Sequence, residues 1–455
     1  MLIAFFREIQ DVAFVVRLLI APRRKSRESV YRAIVVRSAA KKQTHRILAL
    51  RLAAFCCVCM VAPRVAHAEA PDVITPIEMF DPDAGDGIRV SPGFILYPRA
   101  TADVTYDTNI YNFENAEVED AVMSFRPSFA LRSDFARHAV SLEGGAEIRR
   151  YFDISDENSE QYRLNALALL ELGYGIDVEA TAGIARAIER RGTAGDLFLT
   201  DEPVAFDVKR AGLEIKRTGN RLELAVAARI LDREYSDTLV GGVPVDLSRR
   251  DVTVRRASGR ADFGLNARTR LFAEISGNEI DYDIATIPPR DSSGYAGLVG
   301  VKHELTALID IEAGVGFIHQ DFDNPAVSSA KGFNYRLAAS WTPKPEWRIT
   351  ASASKVVDPS RRLDSPAIIT NEFRLGAERA LGDRLLVSAE VGYVEEDFRA
   401  SPRKDKRFVA GASAIYRLAD KIGLTFGAGY RDQDGGAFGR SYDGFSASVG
   451  VRVAW

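Results

Sequence analysis

The chain ends in the stretch GFSASVGVRVAW, residues 444–455, in which apolar residues alternate with small or polar ones. Successive side chains of a β-strand point to opposite faces, so this period of two predicts one apolar face and one face of Gly, Ser and Arg. The apolar face carries Phe445, Ala447, Val449, Val451, Val453 and Trp455. The apolar row is unbroken over its whole length, which decides how the rest of the chain is interpreted.

The same alternation recurs upstream, for example over residues 422–431, 309–317, 222–230 and 140–149. Short turns such as Thr218-Gly219-Asn220 and Gly382-Asp383 alternate with longer polar breaks, and Gly, Asn and Asp are typical turn residues. The longer breaks lie near 110–120, 191–203, 236–249, 283–292, 323–331, 358–367, 398–406 and 433–440. The pattern predicts about 18 strands (roughly 16–18) joined by short and long connections in alternation.

A soluble β-sandwich or propeller is the alternative for such a pattern. A soluble sheet, however, places charge on its outer face and large apolar residues in a packed core. Here the polar face carries Gly, Ser, Arg and Glu on almost every strand, and charges do not interrupt the apolar face. We therefore predict an all-β fold, a transmembrane antiparallel up-and-down β-barrel over residues 93–455, because a sheet in lipid must close on itself.

This prediction places the chain in the outer membrane of a Gram-negative bacterium, in contact with outer-membrane lipid and lipopolysaccharide. The last strand ends in an aromatic residue, and we expect it to act as the C-terminal signal for the barrel-assembly machinery. The residues of this expected signal are Phe445, Val449, Val451, Val453 and Trp455.

The N-terminal region, residues 1–68, is predicted to be an extension and a signal peptide. From Lys41 a basic patch precedes a short apolar core and ends in Ala66-His67-Ala68, so cleavage is expected after Ala68. Residues 1–40 fit either an extended signal region or a start codon that lies further downstream. Residues 69–92 form an acidic periplasmic lead, for which a flexible tail is favoured over a partial plug.

Charge and cysteine content exclude two further classes. Residues 1–68 carry 13 of the 60 basic and 3 of the 63 acidic residues, which leaves 47 basic and 60 acidic residues after position 68. A region this acidic is a poor partner for a phosphate backbone, so we expect no nucleic acid. The three cysteines, Cys56, Cys57 and Cys59, all precede the expected cleavage site, and we expect neither a metal site nor a cofactor.

The polar face of the predicted strands would line the lumen. Its charged candidates are Glu143, Glu147, Arg149, Arg221, Glu223, Arg229, Arg336, Arg374, Glu390, Arg417, Arg431 and Arg452. Opposed rows of Arg and carboxylate can select solutes by charge and size. They can equally pair with one another and hold the wall in shape, and the sequence leaves both readings open.

The start of the predicted barrel resembles the β-barrel porin type 2 family of bacterial outer-membrane proteins. The resemblance covers roughly residues 92–165, and it rests on Tyr97, Pro98, Tyr106, Asp107, Asn109, Tyr111, Arg126 and Pro127. It implies a channel-type barrel, often linked to loci for exopolysaccharide production. We expect Asp107 and Asn109 to serve turn chemistry where the first strand enters its loop.

Together the pattern and the resemblance imply an outer-membrane porin-like channel for an exopolysaccharide or for small hydrophilic solutes. The alternative is a non-conducting structural or adhesin-type barrel that acts through its long loops. Catalysis is not expected, because His138 and His303 lie beside short turns and His319 has Asp321 nearby but no evident serine partner.

Overall fold

The computed structural model describes residues 87–193, 200–436 and 440–455. The predicted signal peptide and most of the acidic lead therefore lie outside the described residues. No helix in these ranges is long and apolar enough to cross a bilayer. The only helical elements there are two single 3₁₀ turns, Ser155–Glu157 and Ser248–Arg250.

The described chain forms 21 strands. In chain order they are β1 (Ile88–Ser91), β2 (Phe94–Asp107), β3 (Asp120–Ser133), β4 (Ala139–Tyr151), β5 (Ser159–Gly173), β6 (Ile176–Ile188), β7 (Ala205–Thr218), β8 (Leu222–Tyr235), β9 (Thr238–Val240), β10 (Val243–Val245), β11 (Val252–Asn266), β12 (Thr269–Tyr282), β13 (Ser292–Thr306), β14 (Ile309–Phe322), β15 (Ala330–Trp341), β16 (Trp347–Pro359), β17 (Ala367–Leu381), β18 (Leu385–Phe398), β19 (Lys404–Ala419), β20 (Ile422–Asp434) and β21 (Tyr442–Ala454).

The wall is a closed antiparallel barrel of 18 strands, β2–β8 and β11–β21, as the sequence predicts. Each strand pairs with the next, and β21 pairs with β2 from Arg99↔Ala454 to Asp107↔Ser446. Closure satisfies the backbone groups that an open sheet would expose at its two edges.

The last residues of the acidic lead are not a tail. They form β1, which pairs with the start of β2 from Ile88↔Leu96 to Ser91↔Phe94. The C-terminal strand ends level with Pro98, whose carbonyl accepts a hydrogen bond from the amide of Trp455. β1 therefore covers the part of the β2 edge that the shorter β21 leaves open.

Short and long connections alternate around the barrel and define a short-turn end and a long-loop end. Among the long breaks, one is absent from the sequence prediction, the segment with a 3₁₀ turn between β4 and β5 at the long-loop end. The connection between β8 and β11 holds the β9–β10 hairpin, whose Gly241 and Gly242 both adopt positive φ, as a two-residue hairpin turn requires. The Asp201 carboxylate accepts hydrogen bonds from both of these glycine amides, at 2.8 and 2.7 Å.

The period of two in the sequence becomes two faces of the wall. One face, here called the outer face, carries the exposed apolar rows; Val449 and Ile275 on it are 52% and 64% exposed. Exposed apolar surface on this scale is what lipid, rather than water, accommodates. The opposite, inner face carries the small residues and most of the charged ones, while outer charges such as Arg255 and Glu279 lie towards the long-loop end.

Candidate functional site: the lumen and the loop across its mouth

The inner face collects the charged candidates named from the sequence. Strand register places eleven of the twelve on inner rows, as in the facing pairs Ser124↔Arg149, Gly212↔Arg229 and Gly376↔Glu390. Arg221 differs, since it precedes β8 and lies exposed in the short turn. The sequence missed Asp103, Arg260, Glu274 and Glu312, which share the same rows and prove central to the contacts below.

Near the closing seam an ion cluster joins β2, β3 and β4. Arg126 contacts the buried Asp103 on one side and Glu147 on the other, the latter at 3.3 Å. Glu147 in turn accepts a hydrogen bond from Gln161 of β5, at 3.1 Å. Alternating charges on three neighbouring strands, extended to β5 by the Gln161 amide, hold this part of the wall together, so here the inner charges pair with one another.

A second cluster covers the inner face of β11–β15. Arg260 binds Asp262 at 2.8 Å and Glu312 at 2.9 Å, although Glu312 lies three strands away. Arg336 reaches Glu274 at 2.7 Å, and Arg260 also lies 3.5 Å from Glu274. The result is one network of two guanidinium groups and three carboxylates that projects into the lumen.

An aromatic ring packs between the wall and this second cluster. The buried Phe272 lies under the Arg260 guanidinium, 4.1 Å from its ring centroid. A Cβ atom at Gly300 or Gly314 would come within 2.5 or 2.8 Å of that ring. Glycine at these two inner positions therefore makes room for the ring.

The inner face of β19–β21 is different, because it is lined by small residues. Its rows are built from Gly411, Ser413, Gly423, Thr425, Gly427, Gly429, Gly444, Ser446, Ser448 and Gly450. Glu390 and Arg431 flank a recess in this strip together with Gly429 and Ser446. The lumen is thus asymmetric, with a charged side at β11–β15 and a smooth strip on the other side.

The family-motif residues meet at the long-loop end of the closing seam. The Arg431 guanidinium binds both carboxylate oxygens of Asp107, at 2.8 and 3.0 Å, and the side chain of Asn112, at 2.7 Å. Asn109 is fully buried and donates to the carbonyls of Phe113 and Asp443, each at 2.8 Å. These contacts fix the first long loop onto β20 and β21.

The remaining motif residues lie along β2 and β3. Tyr97 faces the guanidinium of Arg132 at 5.6 Å, and Pro98 supplies the carbonyl that bonds Trp455. The Tyr106 hydroxyl donates to Glu119 at 2.6 Å on the outer side, Tyr111 stacks with Phe113, and Pro127 lies opposite Ala100. Apart from the Tyr111–Phe113 pair, which lies within the first long loop, these contacts join the first strands of the barrel to their neighbours.

The mouth at the long-loop end is crossed by the connection between β16 and β17, here called the crossing loop (residues 360–366). Arg361 pairs with Glu189 at 3.2 Å, and Glu189 also binds Arg250 at 3.0 Å. Glu189 follows β6, which lies eight strands from β16 in a wall of 18. The crossing loop therefore reaches nearly the opposite side of the barrel.

Two further residues fix the crossing loop at its base. The Tyr282 hydroxyl shares its one hydrogen between the carbonyls of Ser360 and Pro366, each 2.9 Å away. Arg290 donates to the Ser360 carbonyl at 2.6 Å and lies 3.7 Å from the Tyr282 ring centroid. Both ends of the loop are thus held by the end of β12 and by the connection that follows it.

Burial affects the pKa of two guanidinium groups in this region. Burial lowers the pKa of Arg290, and repulsion from Arg250 lowers it further. Burial also pulls the pKa of Arg361 down, but its interactions with Tyr235 and Glu189 outweigh burial and raise that pKa. Arginine stays charged across the physiological range, so the mouth carries fixed positive charges paired with Glu189.

The three histidines of the described chain lie apart from the lumen charges. The His319 imidazole is 2.7 Å from Asp321 and stacks on Tyr295 at 5.0 Å, all three on outer rows. His303 faces the Thr269 hydroxyl at 3.0 Å, and His138 accepts from the amide of Glu171 at 3.2 Å. Within the described residues no three His, Cys, Asp or Glu side chains are grouped to hold a metal ion.

Comparison with known proteins gives one family and a set of distant barrels. Residues 81–455 match the family described as "Putative beta-barrel porin 2". No curated protein matches the sequence. Among solved structures, the chain is similar to the siderophore receptor PirA from Acinetobacter baumannii, with 7% identity, TM-score 0.43 and coverage of 79% of this chain and 80% of that one.

Two other solved structures are similar to the same degree. The FrpB iron transporter from Neisseria meningitidis has 9% identity and a TM-score of 0.45, over 81% of this chain and 82% of that one. The copper transporter OprC has 12% identity and a TM-score of 0.43, over 79% and 81%. At these values we draw no conclusion on cargo from any of the three.

Proposed function

Because this chain belongs to the "Putative beta-barrel porin 2" family, we propose that it is an outer-membrane channel for a hydrophilic cargo, with an exopolysaccharide as the favoured cargo class. The short-turn end then faces the periplasm and the long-loop end faces the exterior, as in outer-membrane barrels generally. Outer-membrane lipid and lipopolysaccharide surround the wall, and the C-terminal strand engages the barrel-assembly machinery.

The observation that carries this proposal is the composition of the inner face. A strip of Gly and Ser on β19–β21 runs beside Glu390, Arg417, Arg431 and Arg452. Small residues leave room for water and for a hydrated chain, while charged and hydroxyl groups replace the hydrogen bonds that a saccharide gives up. A strip with few large apolar side chains also offers an extended polymer few places to bind tightly and stall.

Conductance in planar bilayers tests the channel. We expect the refolded protein to give discrete conductance steps, and a folded barrel that never conducts contradicts the proposal. Deletion of the gene tests the cargo, with surface polysaccharide and small-solute uptake measured in the same cells. Loss of surface polysaccharide with normal uptake supports polymer export, and the reverse result supports passive diffusion.

A second candidate function is a non-conducting surface barrel that acts through its loops. The observation that favours it is the crossing loop, which obstructs the mouth through the Arg361–Glu189 pair. Shortening the β9–β10 hairpin separates the two functions, because this hairpin belongs to the long-loop end but not to the wall. Loss of cell adhesion with unchanged conductance would favour the surface function.

A further inference from the structure

The shortest seam of the wall lies between β15 and β16. These strands pair only from Trp341↔Ile349 to Arg336↔Ser354, although β15 continues to Ala330 and β16 to Pro359. Elsewhere the wall strands pair over most of their length, as β16 and β17 do from Trp347↔Arg379 to Pro359↔Ala367. The break therefore lies in the long-loop half of this seam, directly below the crossing loop.

Beyond the break, the β16–β17 hairpin lies inside the barrel. Val357, Ala367 and Ile369 share the hairpin face that carries the exposed Phe373 and Leu375 nearer the short-turn end. Yet Val357 and Ala367 are buried against Ile318, which lies on the inner face of β14. The outer face of the hairpin thus packs on the inner face of the neighbouring wall, so the two sheets overlap.

On both edges of the break, side chains form hydrogen bonds with backbone groups that would otherwise pair across the seam. Successive residues of an antiparallel strand direct their backbone N–H and C=O groups to opposite neighbours. The Glu346 carbonyl accepts a hydrogen bond from Ala380 of β17, so even-numbered residues of β16 face β17. The carbonyl of the odd-numbered Val357 therefore faces β15. That carbonyl accepts from Arg256 of β11 at 3.2 Å. On the other edge, the Tyr335 amide bonds to the side chain of Asn334 at 2.9 Å.

Both strands retain what the ladder needs to extend as far as Phe333 and Val357. Continuing the existing register places Tyr335 opposite Lys355, Asn334 opposite Val356 and Phe333 opposite Val357. β15 and β16 are already extended over these residues, and no bulge interrupts β16. The continued register also turns Val357 and Ile369 outward, where their apolar side chains suit lipid.

We propose that the long-loop half of the β16–β17 hairpin is a gate with two positions, an inference that rests on the proposed channel function. In the present, inward position the hairpin lies inside the wall and holds the crossing loop across the mouth. In the outward position the ladder with β15 extends to Phe333, and the crossing loop leaves Glu189. Arg256 and Glu189 hold the inward position by charge, and Ile318 holds it by apolar contact.

Paired cysteines test the gate in the full chain, with Cys56, Cys57 and Cys59 changed to Ser. Asn334→Cys with Val356→Cys are adjacent only in the outward position, as a non-hydrogen-bonded pair that suits a disulfide. Ile318→Cys with Val357→Cys are in contact only in the inward position. Ala338→Cys with Ser352→Cys, a facing pair in the intact ladder, is the matched control.

We expect oxidation in vesicles to link all three pairs. Linking Asn334→Cys to Val356→Cys should raise single-channel conductance at least about twofold, and linking Ile318→Cys to Val357→Cys should hold it low. If the control links and the outward pair stays reduced, the gate is overturned. Linking of the outward pair in a conducting protein without any change in conductance overturns it as well.

The same experiment separates this inference from the channel function. An outward pair that links in a protein that never conducts supports the moving hairpin and contradicts the channel. The shift in gel mobility between unheated and boiled samples verifies that each variant is folded. If a cysteine pair fails this check, nitroxide labels at positions 331 and 355 provide a second measurement. The distribution of distances between the two labels should contain a short-distance population for the outward position. A fixed hairpin gives no such population.

Discussion

Arg256 and Val357 are joined across the lumen by a hydrogen bond from a guanidinium to a backbone carbonyl, 3.2 Å long. Arg256 belongs to β11 and Val357 to β16, five strands further around the wall. The same guanidinium binds the carboxylate of Asp358 at 2.9 Å. A carbonyl that would pair with β15 in a complete sheet is thus satisfied by a side chain from another part of the barrel, as buried backbone groups require.

Replacing Arg256 tests whether its guanidinium group keeps the β16–β17 hairpin, and with it the crossing loop, inside the mouth. Arg256→Gln removes the charge that binds Asp358, so we expect the mouth to widen and mean conductance to rise about two- to fivefold. Planar-bilayer recordings provide the measurement. Arg255→Gln is the matched control, because Arg255 contacts Glu279 and Asp281 on the outer face and should leave conductance unchanged. Equal effects from both variants would contradict this role of Arg256.

The Asp107–Arg431 pair provides a stability test at the closing seam. Both side chains are about four-fifths buried and share two hydrogen bonds, so Asp107→Asn leaves the guanidinium without its charged partner. We expect the free energy of unfolding to fall by about 2 kcal/mol. Urea titration of the refolded barrel, followed by tryptophan fluorescence, measures the change. Glu114→Gln in the exposed part of the same loop should shift it by less than about 0.5 kcal/mol.

Much of the wall could be predicted from the sequence, and the reason is geometric. Successive side chains of a strand point to opposite faces of the sheet, so neighbours such as Val449 and Ser448 could be assigned to opposite faces without coordinates. The strand number followed from the turns. The break between β4 and β5 was missed because residues 152–158 contain neither Gly nor Pro.

The contacts of the candidate site could be predicted less well. The sequence placed Arg431 on the inner face, but not its pairing with Asp107, which lies 324 positions away. Nothing local distinguishes Val357 from any other apolar residue of an outer row, yet it packs inward against Ile318. Such contacts depend on how neighbouring strands bend, which the period of two does not encode.

Two inner-face glycines differ in the space around them and give a packing test. A Cβ at Gly300 would lie 2.2 Å from the carbonyl oxygen of Ala313 and 2.5 Å from the Phe272 ring, whereas at Gly332 it meets nothing within 4 Å. Gly300→Ala should therefore cost about 1–3 kcal/mol of unfolding free energy. Gly332→Ala should be neutral or stabilising by up to about 1 kcal/mol. Similar losses in both variants would mean that Phe272 does not fill the space above Gly300.

The smooth strip on β19–β21 makes a prediction about the path of the cargo. Gly429 lies on the inner face, where a Cβ meets only the end of the Ser446 side chain at 3.0 Å, and it borders the recess between Glu390 and Arg431. Gly429→Trp should project an indole into the lumen and reduce single-channel conductance by roughly half, because solute flux falls with the open cross-section.

Ala428→Trp is the control for this change, since Ala428 is the neighbouring residue on the outer face, where an indole meets lipid. We expect wild-type conductance from Ala428→Trp and, in cells that lack the native gene, full restoration of surface polysaccharide. Gly429→Trp should restore it only in part. If Gly429→Trp conducts and restores like wild type, the cargo does not pass along this strip, and the charged side at β11–β15 becomes the path to test.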